Sequence, residues 1–407
     1  MKFGDLLHPV SASEFLGETL GRESRLIRGA HGRFEHLLPW DTINEILSHH
    51  RFSDNSQISL AKNHTAVCHD VFNPEISTFT VPGSTLRHRR VEAARLNDAV
   101  EHGATLQIKG IENLSDPIGR LADSIESEIR ERVTVDAFIC KGETPGFSAH
   151  WDSLDALAIQ VHGSKKWALA APTVRYPLPD GDAVSQLDRA PEHLEETVLG
   201  SGDLLYMPRG WWHRVTPAGG WSVHLTVAFH RRTAMDLAHW FVDTLSKDEF
   251  FRSDVPQRWE SDQAVDAYLA QLVSSVQRHA RQPDLLRRFL SSTEQVQPFR
   301  QVFHLPRVGA EDLEVAEAGR VSWQAPLAAV ATEENGITVV AGGREYRYPA
   351  SYGPVIDALV GGGTKAVAEV CRLVAPAGLT TDDVRTAVAE MALAGLIRVE
   401  GPSEDQG

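Results

Sequence analysis

The chain has 407 residues, 42% of them hydrophobic, with 55 acidic against 40 basic residues and a formal charge of −15. That length suits two or three domains with a sizeable core, and that charge excludes broad, nonspecific binding to nucleic acid, which needs a positive surface. Cys68, Cys140 and Cys371 lie far apart, form no CxxC and predict neither a disulfide framework nor a structural zinc site. The N-terminus reads as no signal peptide, and no apolar run approaches the ~20 residues of a membrane span. The expectation is a cytoplasmic protein away from membranes.

In chain order, residues 1–60 read as short helices and connectors. "SASEFLGETL" offers a serine cap, and "PWDTINEILSHH" opens a helix at a proline. Residues 61–130 mix short strands with one helical stretch, in which Leu121, Ile125 and Ile129 recur at spacing four. From residue 133 the texture changes. "VTVDAFIC", "ALAIQVHG", "KKWALAAP", "ETVLGSGDLLYMP", "HRVTPAG" and "WSVHLTVAFH" are short apolar or alternating runs separated by Gly- and Pro-bearing turns. This pattern predicts an antiparallel barrel or double-sheet jelly roll up to about residue 230.

After 231 the periodicity becomes helical in "TAMDLAHWFVDTLS", "AVDAYLAQLVSSVQRHA" and "DLLRRFLSS". "QPFRQVFHLPRVG" then reads as a linker. Two strands, "GITVVAG" and "REYRYPA", precede three helical segments and a short strand, "LIRVEG". Helix, helix and strand in that order resemble a winged helix. Residues 301–407 hold 15 acidic and 8 basic residues, a net of −7. Such a tail suits protein contact rather than direct DNA binding. The expected fold class is therefore α+β, divided at 1–230, 231–300 and 301–407.

The chemistry begins at "FSAHWDSLDALAIQVHGSKKWAL". Residues i and i+2 of a strand share a face, so His150 and Asp152 could hold one metal ion as neighbouring ligands. Taken alone, His-x-Asp reads as readily as a polar surface turn. A second run, "GDLLYMPRGWWH", supplies His213, 63 residues after His150. Two imidazoles and one carboxylate make the facial triad of non-haem Fe(II) oxygenases and leave coordination sites free.

These motifs resemble the JmjC-type cupin oxygenases, and more narrowly the ribosomal oxygenase subgroup, whose members hydroxylate ribosomal-protein side chains. The first motif, the second motif and "WSVHLTVAF" carry the resemblance. "FLGETLGRESRLIRG", the helical stretch and the tail support it in order. The resemblance implies a double-stranded β-helix, a helical dimerisation region and a C-terminal winged-helix domain. It implies Fe(II), 2-oxoglutarate as cosubstrate and O2, with succinate and CO2 released as a substrate carbon is hydroxylated. It places Lys165, fifteen residues after His150, against the far carboxylate of 2-oxoglutarate. Lys166 would face the other way, and a solvated strand end is the plainer reading of both lysines.

Two positions depart from the histidine-hydroxylating members, which carry Asn and Tyr where this chain has Asp136 and Phe138. Phe138 has no hydroxyl for the cosubstrate. Asp136 either meets a cationic substrate side chain, such as arginine, or has only a local hydrogen-bonding role. His224 is expected as a satisfied core histidine, although it could line the pocket. His162, beside a turn, is expected at the surface. Trp151, Trp211 and Trp212 flank the ligands as core residues or as a pocket wall. The implied function is hydroxylation of a protein or peptide side chain, a ribosomal arginyl or histidyl residue, by a homodimer. Two alternatives stay open: a tailoring hydroxylase of a biosynthetic peptide or small molecule, and a catalytically silent cupin acting as adaptor or regulator.

Overall fold

The computed structural model describes the chain apart from residues 51, 53–55, 64, 67–78, 82–83, 87–90, 179–189, 308, 362 and 402–407; Cys68 lies outside the described residues. The chain divides into two units, Met1–His230 and Arg231–Gly407.

In the first unit eight strands form one antiparallel sheet. Their order is β1 (Arg25–Ile27), β11 (Leu204–Met207), β8 (Asp155–His162), β13 (Trp221–Phe229), β7 (Val133–Lys141), β6 (Thr105–Ile108), β2 (Ile58–Lys62) and β3 (Thr65–Ala66). A smaller sheet runs β10 (Glu195–Gly200), β9 (Ser164–Ala170), β12 (Trp212–Pro217), and β4 (Phe79–Val81) pairs with β5 (Ser84–Leu86). Every apolar run predicted as a strand between 133 and 230 is one.

Two-residue alternation sorts the side chains of the large sheet. Val133, Val135, Ala137 and Ile139 of β7, Leu157, Ile159 and Val161 of β8, and Val223, Leu225, Val227 and Phe229 of β13 all face one way. They are buried in a core with Leu121, Ala122 and Ile125 of the helix Asp116–Ile129 and with Phe3, Leu6 and Leu7 near the N-terminus. That helix is the predicted one, carrying a proline in its first turn, where no amide hydrogen bond is forfeited. The opposite face of the sheet looks across to the smaller sheet. Ala156, Ala158, Trp167, Leu199, Leu205 and Met207 fill part of the space between them. Gly163 turns β8 into β9 with φ of +63°, and a Cβ there would lie 2.1 Å from the Trp221 carbonyl oxygen. Glycine is thus required at the corner that sets the phase of β9.

The second unit begins with the three predicted helices, Ala234–Leu245, Asp262–Ala280 and Leu285–Glu294. Thr233 and Asp236 make a reciprocal capping box at the first, and Ser261 caps the second. Two three-stranded sheets follow. One is β15 (Ala329–Glu333), β16 (Gly336–Ala341), β17 (Arg344–Tyr348). The other is β18 (Lys365–Ala366), β14 (Arg320–Trp323), β19 (Ile397–Glu400). Helices Gly353–Leu359, Val367–Val374 and Thr381–Leu393 lie between β17 and β19 in sequence and share one buried core with Val321, Val339 and Ile397. The sequence reading missed β14, β15 and β18.

Candidate active site

His150 and Asp152 stand on the loop ahead of β8, which begins only at Asp155. The expected strand position is therefore corrected. They share a face for another reason: the His150 and His213 backbones exchange two hydrogen bonds, N to O at 3.1 and 2.8 Å, in a single antiparallel bridge. The Gly210 amide donates to the Asp152 carbonyl at 2.8 Å, tying the loop to the turn before β12. Arg209 N and the Tyr206 hydroxyl in turn donate to the Asp155 carboxylate at 3.1 and 2.5 Å. Backbone pairing, rather than strand pleat, brings the three side chains together.

One ligand atom from each of His150, Asp152 and His213 lies within 4.8 Å of the others. His213 Nε2 is 3.6 Å from Asp152 Oδ2, and His150 Nε2 is 4.0 Å from Asp152 Oδ1. Each imidazole donates through Nδ1 to a main-chain carbonyl, His150 to Ser148 at 2.8 Å and His213 to Trp211 at 3.2 Å. That fixes the tautomer and leaves both Nε2 lone pairs beside the carboxylate. Burial, with the His150 ring adding to it, pushes His213 down to about 4, although Asp152 and the bond to Trp211 oppose this. His213 is thus an unprotonated donor at neutral pH. Two imidazoles and a carboxylate suit a divalent first-row metal, and three convergent donors fit one ion with an open side.

A cavity of about 300 Å³ opens from this cluster between the sheets. Inward residues line it: Thr134, Asp136, Phe138 and Cys140 of β7, His224, Thr226 and Ala228 of β13, Lys165 and Trp167 of β9. Six rings follow one another around it in a closed circuit. The centroid separations are 4.3 Å for His150 to His213, 6.2 Å to Trp167, 5.4 Å to His224, 4.8 Å to Phe138, 6.3 Å to Phe147 and 6.4 Å back to His150.

Lys165 is 1% exposed and faces the cavity, while Lys166 faces solvent, as the alternation required. Its Nζ donates to the Phe138 carbonyl at 3.0 Å and to His224 Nδ1 at 2.7 Å. Burial lowers the ammonium's pKa, and the Cys140 thiol beside it opposes the shift. A buried cation at one end of a cavity whose other end holds metal donors fits an anionic chelating ligand, since a buried charge calls for a counter-charge.

His224 is both a buried, hydrogen-bonded histidine and a wall of the cavity. His162 is half-buried at the end of β8, where its Nε2 meets the Leu38 carbonyl at 2.9 Å and its ring stacks on Trp40 at 5.3 Å. Asp136 accepts from Gln107 Nε2 at 2.7 Å and from the Gly110 amide at 3.1 Å, a local role, while still lining the cavity. Among the tryptophans flanking the ligands, Trp212 is buried and donates to Thr173 at 2.7 Å, and Trp211 packs on the apolar cluster between the sheets. The indole lining the cavity is Trp167, which the sequence reading had noted only as the end of a motif.

The chain is similar to known proteins in sequence and in fold. A JmjC domain matches residues 109–237. The chain is 24% identical over 229 residues to a Drosophila pseudoobscura pseudoobscura protein named bifunctional lysine-specific demethylase and histidyl-hydroxylase NO66, covering 56% of this chain and 23% of that one. It is 29% identical over 163 residues to ribosomal oxygenase 2 of Mus musculus, covering 38% of this chain and 35% of that one. The chain thus spans about a quarter to a third of the length of these relatives. The Escherichia coli ribosomal oxygenase YcfD, solved with cobalt and 2-oxoglutarate, shares the fold over 97% of this chain and 99% of its own, with a TM-score of 0.60 at 14% identity. The mixed helix-and-sheet architecture is therefore cupin- and JmjC-like. By sequence, the likeness to a JmjC domain runs over residues 109–237.

Proposed function

We propose that the protein is an Fe(II)- and 2-oxoglutarate-dependent hydroxylase of a protein or peptide side chain, with an arginyl or histidyl residue of a ribosomal protein as its substrate. The observation that carries this reading is one cavity with His150, Asp152 and His213 at one end and the buried Lys165 at the other. In this reading the three ligands hold the iron and Lys165 pairs with the far carboxylate of 2-oxoglutarate. Bound iron and cosubstrate supply O2 activation coupled to oxidative decarboxylation. The chain's own task is orientation. Nδ1–H bonds to Ser148 and Trp211 aim the imidazoles, and the ring circuit keeps water from the walls. Asp136, pinned by Gln107 and Gly110, puts a negative charge on the wall and supports a cationic side chain as substrate.

The test is the intact mass of every ribosomal protein from wild type and from a strain lacking this gene. One protein lighter by a single oxygen in the deletion strain names the substrate. No difference in any of them sinks the ribosomal assignment and moves the substrate to a biosynthetic peptide or small molecule.

The proposal extends to the remaining regions. Residues 1–230 are the catalytic domain, 231–300 a helical dimerisation region and 301–407 a winged-helix-like domain that contacts protein rather than DNA. Val242, Leu269, Val273 and Leu286 on the three helices are exposed, which supports pairing of two copies in the cytoplasm. Among the described residues no helix is long and apolar enough to cross a membrane. Sedimentation at micromolar concentration should give a dimer; a clean monomer refutes the pairing.

A further inference from the structure

We infer that the cleft between β1 and β10 is a second docking site, which takes an extended, lysine- or arginine-bearing segment of the protein substrate, apart from the residue that reacts in the metal cavity. The inference rests on the function proposed above for the source of that segment. The cleft measures about 480 Å³, against about 300 Å³ for the cavity at the metal donors, and is of a size that holds ligands. β1 and β10 are the end strands of their sheets among the described residues. An end strand offers main-chain donors and acceptors along its outer side, and an extended segment can add to it. Arg28, directly after β1, reaches across to β10 and donates to the Val198 carbonyl at 2.7 Å and the Thr197 hydroxyl at 3.4 Å. That strap holds the two edges at a fixed separation, and from it the cleft runs to Ser24 and His193.

The lining selects the occupant. Leu26, Leu169, Leu205 and Trp211 make its apolar part. Glu195 stands opposite Leu169 across the β9–β10 ladder and so shares its face, toward the space between the sheets. Glu196 also lines the cleft and lies 3.8 Å from Arg214. Among the described lining residues there is no lysine or arginine, and His193 is the one basic group. Carboxylates beside an apolar trough, in a chain of net charge −15, match a side chain with an aliphatic stem and a cationic head. A strand added to β10 sends every second side chain inward. Its stem would lie over the leucines and Trp211, and its head would reach Glu195. The same carboxylates repel an acidic segment. Trp211 also joins the cleft to the metal centre, since its carbonyl accepts from His213 Nδ1 at 3.2 Å. A segment docked here is anchored behind the metal donors and leaves the cavity open.

The test titrates the full-length protein, loaded with Mn(II) and without turnover, into fluorescein-labelled peptides and follows anisotropy. One probe is Thr-Lys-Thr-Arg-Thr-Lys-Thr with both ends blocked, and the other has Glu in place of each Lys and Arg. The cationic peptide should bind and the acidic one should not. Glu195→Lys should weaken the cationic peptide roughly tenfold, as expected for like charges set face to face. Ser24→Trp, which fills the cleft, should abolish its binding, and Asp136→Asn, in the metal cavity, should leave it unchanged. An affinity no better than about 1 mM, or one that Glu195→Lys and Ser24→Trp leave unchanged, overturns the inference. So does equal binding of the acidic peptide. Loss of binding in Asp136→Asn alone places the peptide in the metal cavity and overturns it too. Spermidine that occupies the cleft as tightly as the peptide overturns the protein segment in favour of a small amine. A protein that docks the peptide in the cleft but binds no 2-oxoglutarate supports the docking site and overturns the proposed function instead.

Discussion

On β7, β8 and β13 the residues facing the helices are aliphatic or aromatic and almost fully buried, whereas on β7 and β13 those one step along the chain include Thr134, Asp136, His224 and Thr226, which line the cavity. Both faces belong to the same strands and the same hydrogen-bond ladders. One face carries stability through apolar area removed from water. The other carries polar and charged groups whose burial costs stability. The pleat keeps the two roles apart, so substitutions on opposite faces should fail in different ways.

The largest effect is expected on the cavity side, where His150→Ala or His213→Ala should abolish turnover and metal binding while the thermal midpoint barely moves. Near-normal activity in either variant would remove that histidine from the metal centre. On the core side, Leu225→Ala should cost about 2–5 kcal/mol of folding stability. Its folded fraction should still bind 2-oxoglutarate normally; a binding defect at full folding would break the separation of the faces.

Lys165→Met sharpens the contrast further. It should weaken 2-oxoglutarate binding by about 10–100-fold. It should also leave the ligand-free protein as stable as wild type or about 1 kcal/mol more so, because an apolar side chain of similar length avoids burying a charge. The pH dependence has a definite sign. The folded-state pKa of Lys165 is lowered, so the unfolded chain binds the proton more tightly. Wild-type stability therefore rises with pH between the lowered folded pKa and the ordinary 10.5 and is lost as pH falls through that window. The advantage of Lys165→Met should shrink as pH rises, and denaturant unfolding at several pH values reads it directly. A gap that widens would mean that the ammonium is not the destabilising group.

Much of the site was legible because its parts are short and local. That Lys165 and Lys166 point to opposite faces follows from alternation, whereas the choice of Lys165 came from the family resemblance. His213 was readable from a turn of fixed spacing. The placement of His150 and Asp152 on a strand was wrong because the bridge to His213 joins segments 63 residues apart and leaves no local pattern. The partners of His162 were unreadable for the same reason, since Trp40 and Leu38 come from the N-terminal segment. β14 was missed because its four residues pair with β19, 77 positions on from Arg320 to Ile397, and so short a run carries no periodicity of its own.

Trp167 stands between His213 and His224 in the ring circuit, 2% exposed and 6.2 Å from the His213 ring. An indole so close to a candidate metal ligand is an internal fluorophore. A paramagnetic ion at the three donors should quench its emission and Zn(II) should not. Of the nine tryptophans, this one lines the cavity, so Trp167→Phe should reduce the metal-dependent difference, with Trp151, Trp211 and Trp212 beside the three donors supplying the rest. The chain thus carries its own optical readout of whether the centre is loaded, and with which kind of ion.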